Sequence, residues 1–260
     1  MRRLTVLSAL VVMLPLVASA EKYEQAISHG QINWTDKTIT VTGSGAPSLK
    51  APNVAVARLN AERAAKLDAL RNIVEAVKGV RVSGSQSAGD AMASSGTVES
   101  KVEGIVRKFK VLDTKYYSDG GVDVIVQVNI DGVLTQTLVP DAGKTSPKAP
   151  SSGDVTGVIV NATGVDLTPA IAPEIKDESG KRLYHAGAVD EKAVLKHGII
   201  SYNKSLDKAM KDSRVGSKPL VVKAVKSAEG SNLVISVADG AKFASAENAL
   251  ANGKVIIVTD

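Results

Sequence analysis

The sequence of 260 residues contains no cysteine. Disulfides and thiolate metal sites are therefore excluded, and so is a lipid anchor attached through cysteine. Aromatic residues make up only 3% of the chain, against 44% hydrophobic residues, so we expect cores built from Ala, Val, Ile and Leu. A strong charge of one sign is also lacking, since 32 basic residues oppose 27 acidic ones. This balance and the scarcity of aromatics argue against nucleic acid as a partner.

The first residues have the three-part pattern of an export signal. Arg2 and Arg3 precede an apolar run from Leu4 to Val17, and the small residues Ala18-Ser19-Ala20 follow. A permanent membrane-spanning helix needs roughly 20 apolar residues, whereas small residues before a polar stretch are typical of a cleavage site. We therefore predict cleavage after Ala20 and a periplasmic protein, with outer-membrane association left open. Loss of the two arginines lowers the formal charge from +5 to about +3.

A linker divides the remaining chain. Residues 141–154 read DAGKTSPKAPSSGD, which is rich in Pro, Ser, Gly and Lys and has no apolar periodicity. The segments on either side have about 110 residues each, within the usual size of a domain. We predict a signal peptide over 1–20, a first domain over 21–140, the linker over 141–154 and a second domain over 155–260.

The first domain is predicted to be a long helix on an antiparallel sheet. The helix runs from Val54 to Lys78, after Pro52-Asn53 as a start signal and before Gly79 as a stop signal. Arg63 lies among its apolar positions, so its guanidinium either reaches the rim or forms a buried ion pair. The apolar residues that we expect to pack as one stripe on the sheet are Val56, Leu59, Leu67, Leu70, Val74 and Val77.

Strands are predicted on both sides of this helix. Lys37 to Thr42 alternates as a half-buried strand, Val80 to Ser83 forms a short one, and the Ser/Gly/Ala-rich passage to Gly96 is a loop or frayed helix. Gly104 to Tyr117 and Val122 to Ile130 form a hairpin around SDGG. The class that results is α+β.

The second domain is also predicted as α+β. Its predicted strands are Thr156 to Val160, a hairpin of Leu220 to Val225 and Leu233 to Val237 around Gly230, and Val255 to Val258. Its predicted helices begin at the caps Asp190 and Ser205, end near Gly198 and Gly216, and include a third from near Ser245.

Catalytic constellations are missing from the sequence. His29, His185 and His197 lie in separate segments without metal-ligand spacing. No G-x-S-x-G elbow occurs, and the glycine-rich pieces lack the lysine of a phosphate loop. We predict no enzyme, no catalytic residue, no metal and no cofactor.

The most uneven charge lies between Lys192 and Lys226, where the only acids are Asp207 and Asp212. On one surface these basic residues could contact acidic lipid head groups or an acidic partner. Alternatively they cover solvent-facing helices. The nine basic residues are Lys192, Lys196, Lys204, Lys208, Lys211, Arg214, Lys218, Lys223 and Lys226.

Residues 41 to 132 resemble a known family. The segments VTGSGAP, ARLNAERAAKLDALRNIVEAVKGVRV and VEGIVRKFKVLDTKYYSDGGVDVIVQVNIDG resemble the LPP-twenty-type lipoprotein family, whose fold family includes the N-terminal part of FlgT. The second half is similar to the segment that accompanies this domain in many exported proteins. The resemblance implies a periplasmic or outer-membrane-associated protein that works by contact, and it supplies no catalytic residues. Lipoprotein members carry a cysteine at the cleavage site, where this chain has Ala18-Ser19-Ala20 and Glu21.

These observations predict a non-enzymatic binding or scaffold module of the cell envelope, accessory to envelope or flagellar basal-body assembly. We expect an envelope or outer-membrane protein partner and at most peripheral membrane contact, with homo-oligomers left open. The alternative is a periplasmic carrier of a small ligand or cell-wall fragment, held in a cleft between the domains. An enzyme of unrecognised type would need polar residues distant in sequence to converge.

Overall fold

Two β-sheets with helices beside them form the protein, as a computed structural model that describes residues 22–144 and 154–260 shows. The predicted α+β class is confirmed, with the long helix packed on an antiparallel sheet. The predicted signal peptide and most of the predicted linker lie outside the described residues, and the division into domains stays a prediction. Within the described residues, no helix is long and apolar enough to cross a membrane.

The first half contains a five-stranded antiparallel sheet in the order β1-β2-β3-β5-β4. Its strands are β1 (Glu24–Ile27), β2 (Gly30–Asn33), β3 (Thr38–Gly45), β4 (Lys110–Tyr116) and β5 (Val122–Asn129), and its helices are α1 (Val54–Gly79), α2 (Ala88–Ser94), α3 (Gly96–Val106) and α4 (Val133–Leu138). The predicted hairpin is β4–β5, although β4 begins six residues later than expected, at Lys110. Alternate valines of β5 are buried under α1.

The long helix begins where its sequence predicts, because the side chain of Asn53 accepts a hydrogen bond from the Val56 amide at 2.9 Å. The predicted apolar stripe is confirmed only in part. Val77 is buried, and Leu70 and Val74 pack against the core, but the earlier part of the stripe faces solvent. Leu59 is 47% exposed and Leu67 is 69% exposed. Arg63 is also exposed, so the buried ion pair is excluded. The residues of α1 that are buried are Ala61, Ala65, Ala69, Asn72, Ile73 and Val77.

Two glycines of β3 explain this alanine face. A β-carbon on Gly43 would lie 2.1 Å from the backbone nitrogen of Ala69, and one on Gly45 would lie 2.0 Å from the carbonyl oxygen of Ala61. The helix and strand backbones therefore touch, and a leucine side chain has no room between them. Leu59 and Leu67 therefore stay exposed, whereas Ile73 and Val77, farther along the helix, are buried.

The segment between α1 and β4 is helical where two strands, and between them a loop or frayed helix, were predicted, so only the helical alternative is confirmed. Val80 to Ser83 forms no strand, and only Arg81 makes an isolated bridge, to Ser87. Ser87 and Asp90 form a capping box that starts α2. Ser95 caps α3, which takes up the first part of the predicted Gly104 to Tyr117 strand, because Val98, Val102 and Val106 recur at helical spacing and pack inward.

The second half contains a seven-stranded mixed sheet in the order β8-β7-β11-β10-β6-β12-β9. Its strands are β6 (Gly157–Asn161), β7 (Ile175–Asp177), β8 (Arg182–Tyr184), β9 (Ser201–Asn203), β10 (Pro219–Ala228), β11 (Asn232–Ile235) and β12 (Val255–Val258), and its helices are α5 (Glu191–His197), α6 (Leu206–Lys211), α7 (Val237–Lys242) and α8 (Glu247–Ala251). The inner strand β6 is parallel to both of its neighbours, β10 and β12.

Local signals predicted much of this half correctly. Asp190 caps α5, Gly198 follows it, and β10 and β11 form the predicted antiparallel hairpin. Ser205 caps α6, but the helix ends at Lys211 instead of near Gly216. Val237, predicted to end a strand, begins α7, because the side chain of Ser236 accepts from the Asp239 amide.

The two halves share one cluster of buried apolar residues. Backbone amides of Ile171 and Ala172 donate to the carbonyls of Arg81 and Val82 at 2.9 and 2.8 Å. The ring of Tyr202 also lies edge-on to Trp34 of the first half, with 5.7 Å between ring centres. The halves therefore contact each other through both backbone and core.

Candidate functional site

The second sheet has one face on the shared core and another that only α6 covers. Val158, Val160 and Ile257 belong to the shared core. The alternate residues of the same strands, Ile159, Ile256 and Val258, pack instead with Ala209 of α6 and with Val215. Helix α6 contacts β6, β9 and β12. We call this second side of the sheet the α6 side.

Strand β10 extends the α6 side beyond the helix. Val221 pairs with Ile159, so Val221 and Lys223 lie on the α6 side. An irregularity after Ala224 then brings Lys226 opposite Val234, on the same side. Val221 is 38% exposed and Val225 is 52% exposed. The helix thus leaves part of this strand open to solvent.

Lysines of α6 add to this surface. Lys211 is exposed, Lys208 is partly exposed, and Met210 is 47% exposed, whereas Ala209 packs on the sheet. Lys204, just before the helix, is turned the other way, since its ammonium lies 5.9 Å from the ring centre of Tyr23, which packs against the shared core. We call the exposed surface of the α6 side the basic face, and it consists of Lys208, Lys211, Lys223, Lys226, Met210, Val221 and Val225.

The charges on the basic face are largely uncompensated. Its four lysines form no ion pair within residues 22–144 and 154–260. They are Lys208 and Lys211 on α6 and Lys223 and Lys226 on β10. Asp207, the exposed acid on α6, is one carboxylate against these four lysines. The surface therefore carries a net positive charge that a bound anion can neutralise.

Apart from Lys204, the other four predicted basic residues also lie elsewhere. Lys192 is exposed on α5, and Lys218 lies just before β10 with its ammonium 3.7 Å from a carboxylate oxygen of Asp154. Lys196 and Arg214 line a cavity between the two halves. The action of all nine as one contact surface stays a prediction.

The three histidines remain apart. His29 is exposed in the turn between β1 and β2, His185 follows β8, and His197 is the last residue of α5. Burial and the charge of Arg182 lower the pKa of His185 below its ordinary value. Among the described residues, no group of three His, Cys, Asp or Glu side chains is placed to hold a metal ion.

The apolar members of the basic face were missed by reading the sequence. Val221 and Val225 were assigned to a hairpin strand and Met210 to a helix, without a place on a contact surface. The available signal was in β10 itself: Val221, Lys223 and Val225 alternate with the buried Val222 and Ala224, which indicates a strand with one apolar and one mixed face.

One comparison with known proteins bears on the second half. Residues 157–260 match the family described as the second domain of Tp0624 from Treponema pallidum. The match begins with β6 and includes the whole basic face, but it covers less than half of the chain. No curated protein matches the chain. The resemblance of residues 41–132 to the LPP-twenty-type family stays a prediction.

Proposed function

We propose that the protein is a non-enzymatic module of the bacterial cell envelope that attaches peripherally to an anionic membrane surface through its basic face. The observation that carries the proposal is the set of four lysines, with exposed valine and methionine side chains, on one side of the second sheet. The predicted export signal supports a periplasmic location. The resemblance to the LPP-twenty-type family supports action by contact, as a scaffold accessory to an envelope or flagellar assembly.

A lipid surface suits the basic face better than a protein partner does. Lysine is depleted in protein–protein interfaces, because its strongly hydrated ammonium is costly to bury. Near an anionic lipid surface each lysine contributes about 1 kcal/mol without losing its hydration. Val221, Val225 and Met210 add apolar surface that can enter the head-group region. Several such contacts together give reversible attachment.

Vesicle sedimentation tests the proposal. The protein should pellet with vesicles that contain phosphatidylglycerol, should remain in solution with pure phosphatidylcholine, and should be released by salt, because surface charges are screened. The double variant Lys223→Glu/Lys226→Glu should lose most of this binding. The matched control is Lys101→Glu/Lys108→Glu, which makes the same change of charge at exposed residues on and just after α3. Equal losses in both variants would show that net charge, and not the basic face, governs binding.

A further inference from the structure

A cavity of about 330 Å³ lies between the two halves, separate from Lys223 and Lys226 of the basic face. Its walls come from the turn before β3, the start of the segment after β5, the end of α5, and the loop between α6 and β10.

Two cations are fixed at the inner wall. Lys37 has a positive φ of 55°, rare for a residue with a side chain, and its ammonium crosses from the first half to donate to the carbonyl of His197. The guanidinium of Arg214 donates to the same carbonyl at 2.6 Å and to the carbonyl of Gly198 at 3.2 Å. Both cations therefore hold the carboxyl end of α5, where the helix dipole is negative. The Nε atom of Arg214 is buried and has no hydrogen-bond partner among the described residues.

Two further cations, Lys196 and Lys254, lie at the cavity and do not bind the carboxyl end of α5. Lys196 and Lys254 form neither an ion pair nor a side-chain hydrogen bond within the described part of the chain. Burial, and then the charges of Arg214 and the neighbouring lysines, lower the pKa of His197 below its ordinary value. The cavity is lined by four basic side chains and three aspartates, and one of the aspartates, Asp36, is paired with Lys22 outside the lining.

The opposing groups of the cavity are polar and mostly occupied. Asp36 is paired with Lys22, and a carboxylate oxygen of Asp212 accepts from the Arg214 amide at 2.8 Å. Asp131 and the hydroxyls of Ser201 and Ser213 remain as acceptors or donors for a ligand. The cavity thus combines excess positive charge with hydroxyl-binding groups.

We propose that this cavity binds a small hydroxylated carboxylate, such as a sugar acid. The carboxylate is held by Lys196 and Lys254, and the hydroxyl groups of the ligand bond to Asp131 and the two serines. The volume accommodates one such molecule. This binding does not depend on membrane attachment, since neither of the two lysines belongs to the basic face.

Isothermal titration with glucuronate and with glucose tests the proposal on the purified protein, because the two sugars differ in the carboxylate alone. Glucuronate should bind and glucose should bind at least about tenfold more weakly, the size of one charge-assisted hydrogen bond. Lys254→Ala and Lys196→Ala should each weaken glucuronate binding by about tenfold. Lys101→Ala, an exposed lysine on α3, should leave it unchanged.

The outcomes separate cleanly from those of the vesicle experiment. Equal affinity for the two sugars, absence of glucuronate binding, or unchanged binding in both cavity variants would overturn the proposal. Thermal unfolding of each variant checks that its fold is intact. The Lys223→Glu/Lys226→Glu protein should keep its affinity for glucuronate. Failure to bind vesicles therefore contradicts only the proposed function of the basic face, and failure to bind glucuronate contradicts only the proposed ligand of the cavity.

Discussion

Replacing Gly43 by alanine should strongly destabilise the first half. The added methyl group would lie 2.4 Å from the carbonyl oxygen of Ala65 and 2.5 Å from the Cα atom of Ala69. These are backbone atoms of α1, so no flexible side chain can yield and the helix itself must move. Overpacking costs typically 1–3 kcal/mol, and we expect about 3 kcal/mol here. For a chain of this length each kcal/mol lowers Tm by about 2–4 °C, so the expected fall is roughly 6–12 °C.

Gly104 provides a matched control for the same substitution. It lies in α3, and no heavy atom would come within 4 Å of an added β-carbon. Alanine there should raise stability by up to about 1 kcal/mol through helix propensity. Circular dichroism during heating and urea titration would measure both variants. A Gly43→Ala protein as stable as the unsubstituted protein would refute direct contact between the backbones of α1 and β3.

Two further predictions concern buried and hydrogen-bonded groups. Tyr202→Phe should lower the free energy of unfolding by about 1–3 kcal/mol, because the Tyr202 hydroxyl both donates to and accepts from the backbone of Ala170 at 2.9 Å. Urea unfolding should show a smaller fall for Tyr184→Phe, which loses only the hydrogen bond to the carbonyl of Ile199. Equal falls in the two variants would contradict the claim that the Tyr202 hydroxyl makes two stabilising hydrogen bonds. Hydrogen bonds from the hydroxyls of Ser44 and Tyr117 lower the pKa of Asp123 below its ordinary value. These hydrogen bonds therefore stabilise the folded protein fully above the unfolded-state pKa of about 3.9, and this stabilisation is lost as the pH falls through the lower folded-state pKa. Urea unfolding at several pH values should show that the unsubstituted protein is more stable than Asp123→Asn by a constant amount near pH 7 and by less below about pH 4. A stability difference that grows in acid would contradict a lowered pKa of Asp123.

Local chemistry explains which parts of the fold were predictable. Caps at Asn53 and Asp190 and the hairpin turn at Gly230 act within a few residues, and their elements begin or end where expected. The buried face of α1 could not be predicted in this way, because alanine carries a weak apolar signal. It is selected by Gly43 and Gly45, which are distant in sequence.

For the basic face and the cavity, the charges could be predicted from the sequence, but the positions of the side chains could not. The sequence revealed an excess of positive charge between Lys192 and Lys226, but strand pairing decides where each side chain lies. The pairing of β10 with β6 places Lys223 on the α6 side, whereas Lys196 and Arg214 line the cavity, where Arg214 donates to the carbonyls of His197 and Gly198. The contribution of Lys37 to the cavity was not predicted, because its contact with His197 joins residues 160 positions apart in the sequence.

The position of β6 has a consequence for the order of folding. β6 lies between β10 and β12, so neither edge of this strand is satisfied until segments about 60 and 100 residues later have been added. The β3–β5 sheet of the first half, by contrast, needs nothing beyond Asn129. The strand pairing of the first sheet can thus form before the second sheet, which Val255–Val258 completes last. Until then β6 exposes unpaired backbone groups on both edges together with apolar side chains, the combination that makes a nascent segment prone to aggregate.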